Sequence, residues 1–175
     1  MRQLPKVESE YAERRRGCER AAWLLGVPSL RDISESDLDG ALGRLDDPVL
    51  IRRVRHVVTE NARVLATVRR LRDPTIPTGG VASIGPLLTA SHRSLRDDYE
   101  VSSARLDLAV EAALAAGALG ARLTGAGFGG CAIALAPADS VPNIVASVEA
   151  VFYRRGFAAP ACLPAEPSAG AHRIS

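Results

Sequence analysis

The chain has 175 residues, of which 47% are hydrophobic and 24% are charged, and its formal net charge is +2. This length suits one domain that folds without a disulfide or metal, and the small charge gives no argument for binding nucleic acid. The three cysteines, Cys18, Cys131 and Cys162, are far apart and form no C-x-x-C pair, so neither a zinc site nor a disulfide framework is expected. The sequence has no apolar signal core and no run long enough to span a bilayer, which favours a cytoplasmic location and no membrane partner.

The first part of the chain predicts three helices. Residues 9–26 form the first, which is expected to end at Gly26, and Ser34 is expected to cap a short second helix. Asp47 followed by Pro48 begins the longest helix, because proline is favoured at the first helical position. The apolar residues of this helix at three- and four-residue spacing are Ile51, Val54, Val58, Ala62, Leu65 and Val68. Its opposite, polar face carries Arg52, His56, Glu60, Arg63 and Arg70.

The second part of the chain predicts helices around a sheet. Residues 73–80 form a loop rich in proline and glycine, and a helix resumes near Val81. Ser102 or Ser103 is expected to cap the next helix, which ends at Gly117. The residues of that helix expected to face inward are Leu106, Val110, Ala113 and Leu114.

Two predicted strands, residues 121–124 and 131–137, flank a glycine-rich loop. Asp139 or Ser140 then caps a last helix that ends at Gly156, and residues 161–168 predict a final strand. This order predicts an α+β domain, in which an N-terminal helical segment precedes an antiparallel sheet covered by helices on one face.

The loop itself carries Gly125, Gly127, Gly129 and Gly130. Its G-x-G-x-x-G spacing does not predict a dinucleotide site, since a strand rather than a helix follows it. The phosphate-loop pattern also fails, because no lysine followed by serine or threonine comes after the last glycine. Two readings stay open from composition alone: a bland tight turn, or a loop whose backbone closely approaches a ligand or another loop.

Other polar clusters favour structural roles. The three carboxylates within Arg96–Glu100 could hold a metal, but a solvated or helix-flanking acidic turn is the favoured interpretation. His56 and His92 have no partner at ligand spacing and are interpreted as surface or interface histidines. The arginine runs 14–16 and 52–55 are interpreted as solvated helix faces rather than nucleic-acid contacts.

Five segments resemble one protein family in the family's own order. The most specific is GARLTGAGFGGCAIAL, residues 120–135, which resembles the third conserved motif of galactokinases, members of the GHMP family of small-molecule kinases. The other four are SHRSLRDDYEVS (91–102), RRVRHVVTENARVL (52–65), SEYAERRRGCERAAWLLG (9–26) and PSAGA (167–171). The resemblance covers nearly the whole chain from Ser9, whereas residues 1–8 match poorly and are treated as an extension.

This resemblance implies a GHMP-kinase C-terminal-type domain over residues 9–175. The family's N-terminal half, which carries the phosphate loop, the magnesium ligands and the catalytic aspartate, has no counterpart in the sequence. The intact family enzyme uses ATP and Mg²⁺ to phosphorylate galactose at the anomeric hydroxyl. The chain is therefore expected to be a truncated or split form that is inactive alone, binds neither ATP nor Mg²⁺ tightly, binds galactose weakly and has a separate N-terminal kinase half as its partner. The alternative is a non-catalytic module that binds a sugar or associates with a kinase lobe.

Two candidate sites follow from the resemblance, and no catalytic or metal-binding residue does. Tyr11 matches a tyrosine that contacts the sugar in the family; the alternative is a half-buried tyrosine that packs on its helix. The active-site glycine loop comprises Thr124, Gly125, Ala126, Gly127, Phe128, Gly129 and Gly130. The chain departs from the family pattern at residues 103–105, where Ser-Ala-Arg replaces the usual Cys-Pro-Glu, and at Leu123, which replaces a methionine.

Overall fold

A computed structural model of the chain describes residues 4–75 and 78–165, and the predicted α+β class is confirmed. The described part divides into a helical segment followed by a sheet with its own helices. In this part of the chain, no helix is both long and apolar enough to cross a membrane.

The helical segment contains α1 (Leu4–Leu25), α2 (Leu38–Leu42) and α3 (Pro48–Arg72). Two 3₁₀ turns, Leu30–Asp32 and Glu35–Asp37, lie between α1 and α2. The long α3 begins as predicted, since the Asp47 side chain accepts a hydrogen bond from the amide of Val49 and Pro48 occupies the first turn.

Four predicted helix boundaries or caps differ from the structure. The helix expected near Val81 begins at Gly85, after a 3₁₀ segment, and Ser140 lies at the N-cap of the last helix without a side-chain cap hydrogen bond. The first helix begins at Leu4 rather than Ser9, although it ends as predicted before Gly26, whose φ is +70°. The predicted cap by Ser34 is wrong, because its hydroxyl donates to the carboxylate of Asp37, 2.5 Å away, and accepts no helix amide.

The first hydrophobic core lies between α1 and the N-terminal half of α3. Its main contributors are Ala21, Ala22, Leu25, Leu50, Val54 and Val58. The core does not continue along α3 as the periodicity predicts: Leu65 and Val68 were expected to face inward but are 50% and 37% exposed. The buried α3 residues of this core are Leu50, Val54 and Val58, all in the first half of the helix.

The sheet-bearing part begins with a 3₁₀ segment, Thr78–Ile84, and another 3₁₀ turn, Ala138–Ser140, precedes its last helix. Its regular elements are α4 (Gly85–Asp97), α5 (Ala104–Ala115), β1 (Gly120–Thr124), β2 (Cys131–Leu135) and α6 (Val141–Arg154). Ser103 caps α5 through the amide of Leu106, as predicted, so this departure from the family pattern keeps a helix cap.

The two strands are antiparallel, and the loop between them joins Thr124 to its partner Cys131. The second core lies between α5, α6 and β1, where Val110, Ala121, Val148 and Phe152 are all buried. A smaller cluster formed by Leu95, Val101, Leu106 and Leu123 joins α4 to the sheet.

The predicted last strand is wrong where it can be compared. Residues 161–165 have no regular secondary structure, and residues 166–168 lie outside the described residues, as does the PSAGA segment. Pro160 directly precedes these residues and Pro164 lies among them, and proline lacks the amide that a strand ladder requires.

Candidate functional site

The glycine loop, residues 125–130, adopts a backbone that few sequences could follow. Gly125, Gly127, Gly129 and Gly130 have φ between +82° and +120°, and Phe128 lies at +60°. L-residues with side chains rarely occupy this left-handed region, so the loop needs its glycines for conformation. Four glycines therefore reflect a specific loop shape rather than the two residues that a simple hairpin turn requires.

Close packing against Val101 fixes the middle of this loop. The amide of Phe128 donates to the carbonyl of Val101 at 2.6 Å, and a Cβ on Gly127 would overlap that same carbonyl oxygen. Of the loop residues, all of which the structure describes, Phe128 alone has its amide bonded to another backbone group. The exposed outer amides can therefore approach an anion or another backbone without a side chain in the way.

The turn before Val101 is held by arginine. Glu100 has a φ of +57°, unusual for a residue with a side chain. The guanidinium of Arg53, which is only 3% exposed, donates to the backbone carbonyl of Asp98 and to the carboxylate of Glu100 at 2.7 Å. This charge-assisted bond holds the pKa of the Glu100 carboxyl below its usual range. The prediction that this arginine lies on a solvated face is wrong, because that face of α3 packs against the turn.

Tyr11 lies on α1 and is 51% exposed. Burial raises the pKa of Tyr99 to about 12, with Cys18 and then Tyr11 adding to the rise. Tyr99 in turn precedes the residues that contact the glycine loop. Arg14, three residues after Tyr11 on α1, has its guanidinium 5.7 Å from the centre of the Phe128 ring, so this part of α1 lies close to the glycine loop.

Both histidines discussed from the sequence are buried within the fold, which corrects their interpretation as surface or interface histidines. His56 is 6% exposed; its Nδ1 lies 3.0 Å from the Ser94 hydroxyl and its ring stacks on Tyr99. His92 is 2% exposed, and its Nδ1 accepts the amide of Leu123 in β1. Burial lowers the pKa of both rings, so each is neutral near pH 7.

His92 thereby anchors the strand that enters the loop. Because Nδ1 accepts a hydrogen bond, the ring proton lies on Nε2, which is 3.3 Å from the Asp107 carboxylate without the alignment of a hydrogen bond. A second anchor is the Glu60 carboxylate, which accepts hydrogen bonds from Ser91, Arg63 and Arg122. Burial alone would raise the pKa of Glu60, but these donors lower it below its usual value.

The acidic segment 96–100 is a helix-flanking turn, as favoured from the sequence. Asp97 pairs with Arg96, Asp98 faces Arg55 at 3.4 Å, and Glu100 is held by Arg53. Carboxylates engaged in this way are poorly suited to a Mg²⁺ ion, which needs several free oxygen ligands.

A cleft of about 310 Å³ lies elsewhere, between residues 31–35 and α3. Asn61, Leu65 and Arg69 are among its lining residues, and no residue of the glycine loop lines it. It is therefore not part of the candidate site.

Sequence reasoning missed the residues that support the loop from behind. From the sequence, Arg53 is interpreted as part of a solvated run and His92 as a surface or interface histidine, and Val101 has no predicted role. No local signal distinguishes Arg53 from its exposed neighbours, since its partners lie 45 to 47 residues further along the chain.

Comparisons with known proteins show which family the chain resembles. The family model described as GHMP kinases C terminal matches residues 74–154. A galactokinase of Streptomyces coelicolor is 51% identical over 168 residues, which cover 95% of this chain and 42% of that protein. A galactokinase of Mycobacterium tuberculosis is 48% identical over 87% of this chain and 40% of its own length.

A solved structure shares the fold as well as the sequence. The crystal structure of Lactococcus lactis galactokinase complexed with galactose superposes with a TM-score of 0.78 at 38% identity, over 87% of this chain and 39% of that chain. The chain thus spans about two fifths of the length of the relatives it matches. It therefore contains a GHMP kinase C-terminal domain over residues 74–154 and is homologous to the C-terminal part of galactokinases.

Proposed function

We propose that the chain supplies the C-terminal half of a galactokinase-type sugar kinase, which transfers the γ-phosphoryl group of ATP to the anomeric hydroxyl of galactose. The observation that carries the proposal is the glycine loop, whose left-handed backbone and Val101 contact occur within a domain similar to galactokinases. The free cysteines of the described part are consistent with the cytoplasmic location that we include in the proposal.

In this proposal the chain's own residues bind and position. Exposed amides of the glycine loop approach an anionic group or the phosphate-binding backbone of the other half. The Tyr11 hydroxyl donates to or accepts from a sugar hydroxyl. ATP and its Mg²⁺ would supply the phosphoryl group and the charge stabilisation that such transfer needs.

The carboxylates nearest the loop do not fit a magnesium site, since arginines already hold them. Asp98 and Glu100 pair with Arg55 and Arg53. We therefore propose that these 175 residues bind neither ATP nor Mg²⁺ tightly, and that turnover needs an N-terminal kinase half as partner.

A coupled kinase assay tests the proposal. The purified chain is assayed with galactose and MgATP, first alone and then with the N-terminal part of the Streptomyces coelicolor galactokinase that precedes the matched region. We expect no turnover alone and measurable turnover with the added half. Turnover by the pure chain alone would refute its inactivity, and no turnover with the added half, despite complex formation, would refute the split-enzyme role.

The loop's role is tested in the same assay by Gly127→Ala. An added Cβ meets the Val101 carbonyl at a φ of +82°, so we expect the rescued activity to fall by about tenfold or more. Gly40→Ala is the matched control, since a Cβ there meets nothing within 4 Å. Equal activity of the two variants would remove the glycine loop from the proposed site.

An alternative function is a non-catalytic module that binds a sugar or associates with a kinase lobe. The observation in its favour is a stripe of exposed apolar side chains on the second half of α3: Val64, Leu65, Val68 and Leu71. Exposed apolar patches commonly mark association surfaces. Sedimentation at several concentrations, together with thermal shifts in galactose and in ATP, tests this alternative; a monomer that responds to neither ligand would contradict it.

A further inference from the structure

We propose that Arg14 is a positioning residue that fixes the Tyr11 turn of α1 relative to the glycine loop. The inference rests on the proposed function in one respect, because it treats Tyr11 and the glycine loop as parts of one site. It adds a residue that has no counterpart among the candidate site residues.

Arg14 contacts two consecutive residues of the turn that supports the loop and one residue of the loop itself. Its Nε donates to the carbonyl of Tyr99 at 2.9 Å, and one terminal nitrogen donates to the carbonyl of Glu100 at 3.0 Å. Its guanidinium also lies 5.7 Å from the centre of the Phe128 ring. The side chain is 13% exposed; its bond to the Tyr99 carbonyl is partly buried, whereas its bond to the Glu100 carbonyl is exposed to water.

These contacts reach the loop by a short route. The two carbonyls belong to the residues directly before Val101, whose own carbonyl accepts the Phe128 amide. Phe128 and Glu100 are the two non-glycine residues with positive φ in the described chain, and Arg14 touches both. A positive φ at a residue with a side chain persists only where the surrounding contacts hold it in place. The planar guanidinium of Arg14 provides such contacts to both Glu100 and Phe128.

The backbone of Arg14 belongs to α1, the helix that also carries Tyr11. Arg14 follows Tyr11 by three residues, so the two side chains leave neighbouring positions on one face of α1. Arg53 binds the same turn from α3, but α3 contains no candidate site residue. Arg14 is thus a direct polar link between α1, which carries Tyr11, and the turn that supports the glycine loop.

Backbone amide exchange of the full 175-residue chain tests this link. Arg14→Met removes both donors, and Arg14→Lys keeps the charge but not the planar fork. We expect both variants to speed exchange at Phe128 by about tenfold or more, while exchange at the core amides of Val54 and Val110 stays within about twofold. Arg15→Met is the matched control, because Arg15 is exposed and pairs only with Glu19 among the described residues, and it should leave the loop unchanged.

Loop exchange unchanged in a folded Arg14→Met variant would overturn the proposal. Should that variant unfold, exchange would rise everywhere, and the folded Arg14→Lys variant then decides the question by the same criterion.

A second readout separates positioning from mere stabilisation. In the kinase reconstituted with an N-terminal half, Arg14→Lys should raise the KM for galactose by about tenfold with a smaller change in kcat. Unchanged KM would contradict a role in the site. Failure of the wild-type mixture to turn over at all would count against the proposed function, whereas the exchange experiment would still decide the role of Arg14.

Discussion

At the scale of single residues, His56 shows how burial sets chemistry. Its ring is enclosed by the Ser94 hydroxyl and the stacked Tyr99, and the charged groups Glu60, Arg63, Asp98 and Arg122 act on it from neighbouring elements. Burial has the largest effect and lowers the pKa of His56 from 6.5 to about 4. The folded protein therefore holds a neutral ring where the unfolded chain would bind a proton.

This shift predicts a dependence of stability on pH. Between about pH 6.5 and pH 4 the unfolded chain binds more protons at His56 than the folded chain, so the free energy of unfolding falls as the pH drops through that window. The loss should reach roughly 2–3 kcal/mol and should be absent above about pH 7. Urea unfolding at pH 7 and pH 4.5 measures it.

The His56→Gln variant is the control for this prediction. Glutamine can still donate to Ser94 but does not titrate, so the variant should lose less stability than the wild type over the same pH interval. His92 remains in both proteins, and its contribution cancels in the comparison. Identical losses in the two proteins would show that His56 does not produce the effect.

At the scale of elements, the first turn of α4 and the start of β1 pack backbone to backbone. A Cβ on Gly85 would overlap the carbonyl of Leu119, and a Cβ on Gly120 would overlap the carbonyl of Gly85. Both glycines are buried, and neither has positive φ, so close approach rather than conformation demands them. This contact sets the distance between the helix that bears His92 and the strand that His92 anchors.

Gly120→Ala is therefore expected to destabilise the protein. The neighbouring atoms are backbone and cannot rotate away, so we expect a loss of about 2 kcal/mol or more in the free energy of unfolding. The matched substitution Gly40→Ala, within α2 and facing open space, should instead stabilise by about 0.5–1 kcal/mol. Urea denaturation of both variants gives the comparison, and equal stabilities would contradict the close-approach argument.

Sequence patterns predicted those features that depend on near neighbours. Asp47 with Pro48, Ser103 as a cap and Gly117 as a helix end all act through residues within one turn. The burial of Arg53, His56 and His92 could not be predicted, because their partners lie more than 30 residues away in sequence. From the sequence, a polar face of α3 is predicted to be exposed to solvent, because the residues that cover it are far away along the chain.

The candidate site likewise has features that the local sequence indicates and contacts that only the fold reveals. The glycine spacing within residues 125–130 left a tight turn and a closely approached loop both open, and the resemblance to galactokinases named the loop and Tyr11 as candidate sites. The contacts that shape this loop, from Val101, Arg14 and Arg53, are set by the fold and leave no local pattern.

At the scale of the whole molecule, two hydrophobic cores are joined by a polar seam. One core belongs to α1, α2 and α3, and the other to α5, α6 and the sheet. Between them lie pairs such as Arg53 with Glu100, His56 with Ser94, and Glu60 with Arg122. The first core lies almost wholly before residue 74, where the match to the GHMP kinase C-terminal model begins. The seam thus couples an N-terminal helical segment to the family domain.

Glu60 is the centre of this seam, and its substitution tests how the two cores communicate. It is the one described carboxylate that bonds α3, α4 and β1 together, through Arg63, Ser91 and Arg122. Glu60→Gln leaves Arg122 without its charged partner in a half-buried place, so we expect a loss of about 1–3 kcal/mol. Glu19→Gln, which alters an exposed pair with Arg15, should cost no more than about 0.5 kcal/mol.

If the seam couples the cores, amide exchange at Val54 and Val110 should report one common opening free energy in the wild type and two different values in Glu60→Gln. Two values already in the wild type would mean that the cores open independently and that the seam only orients them.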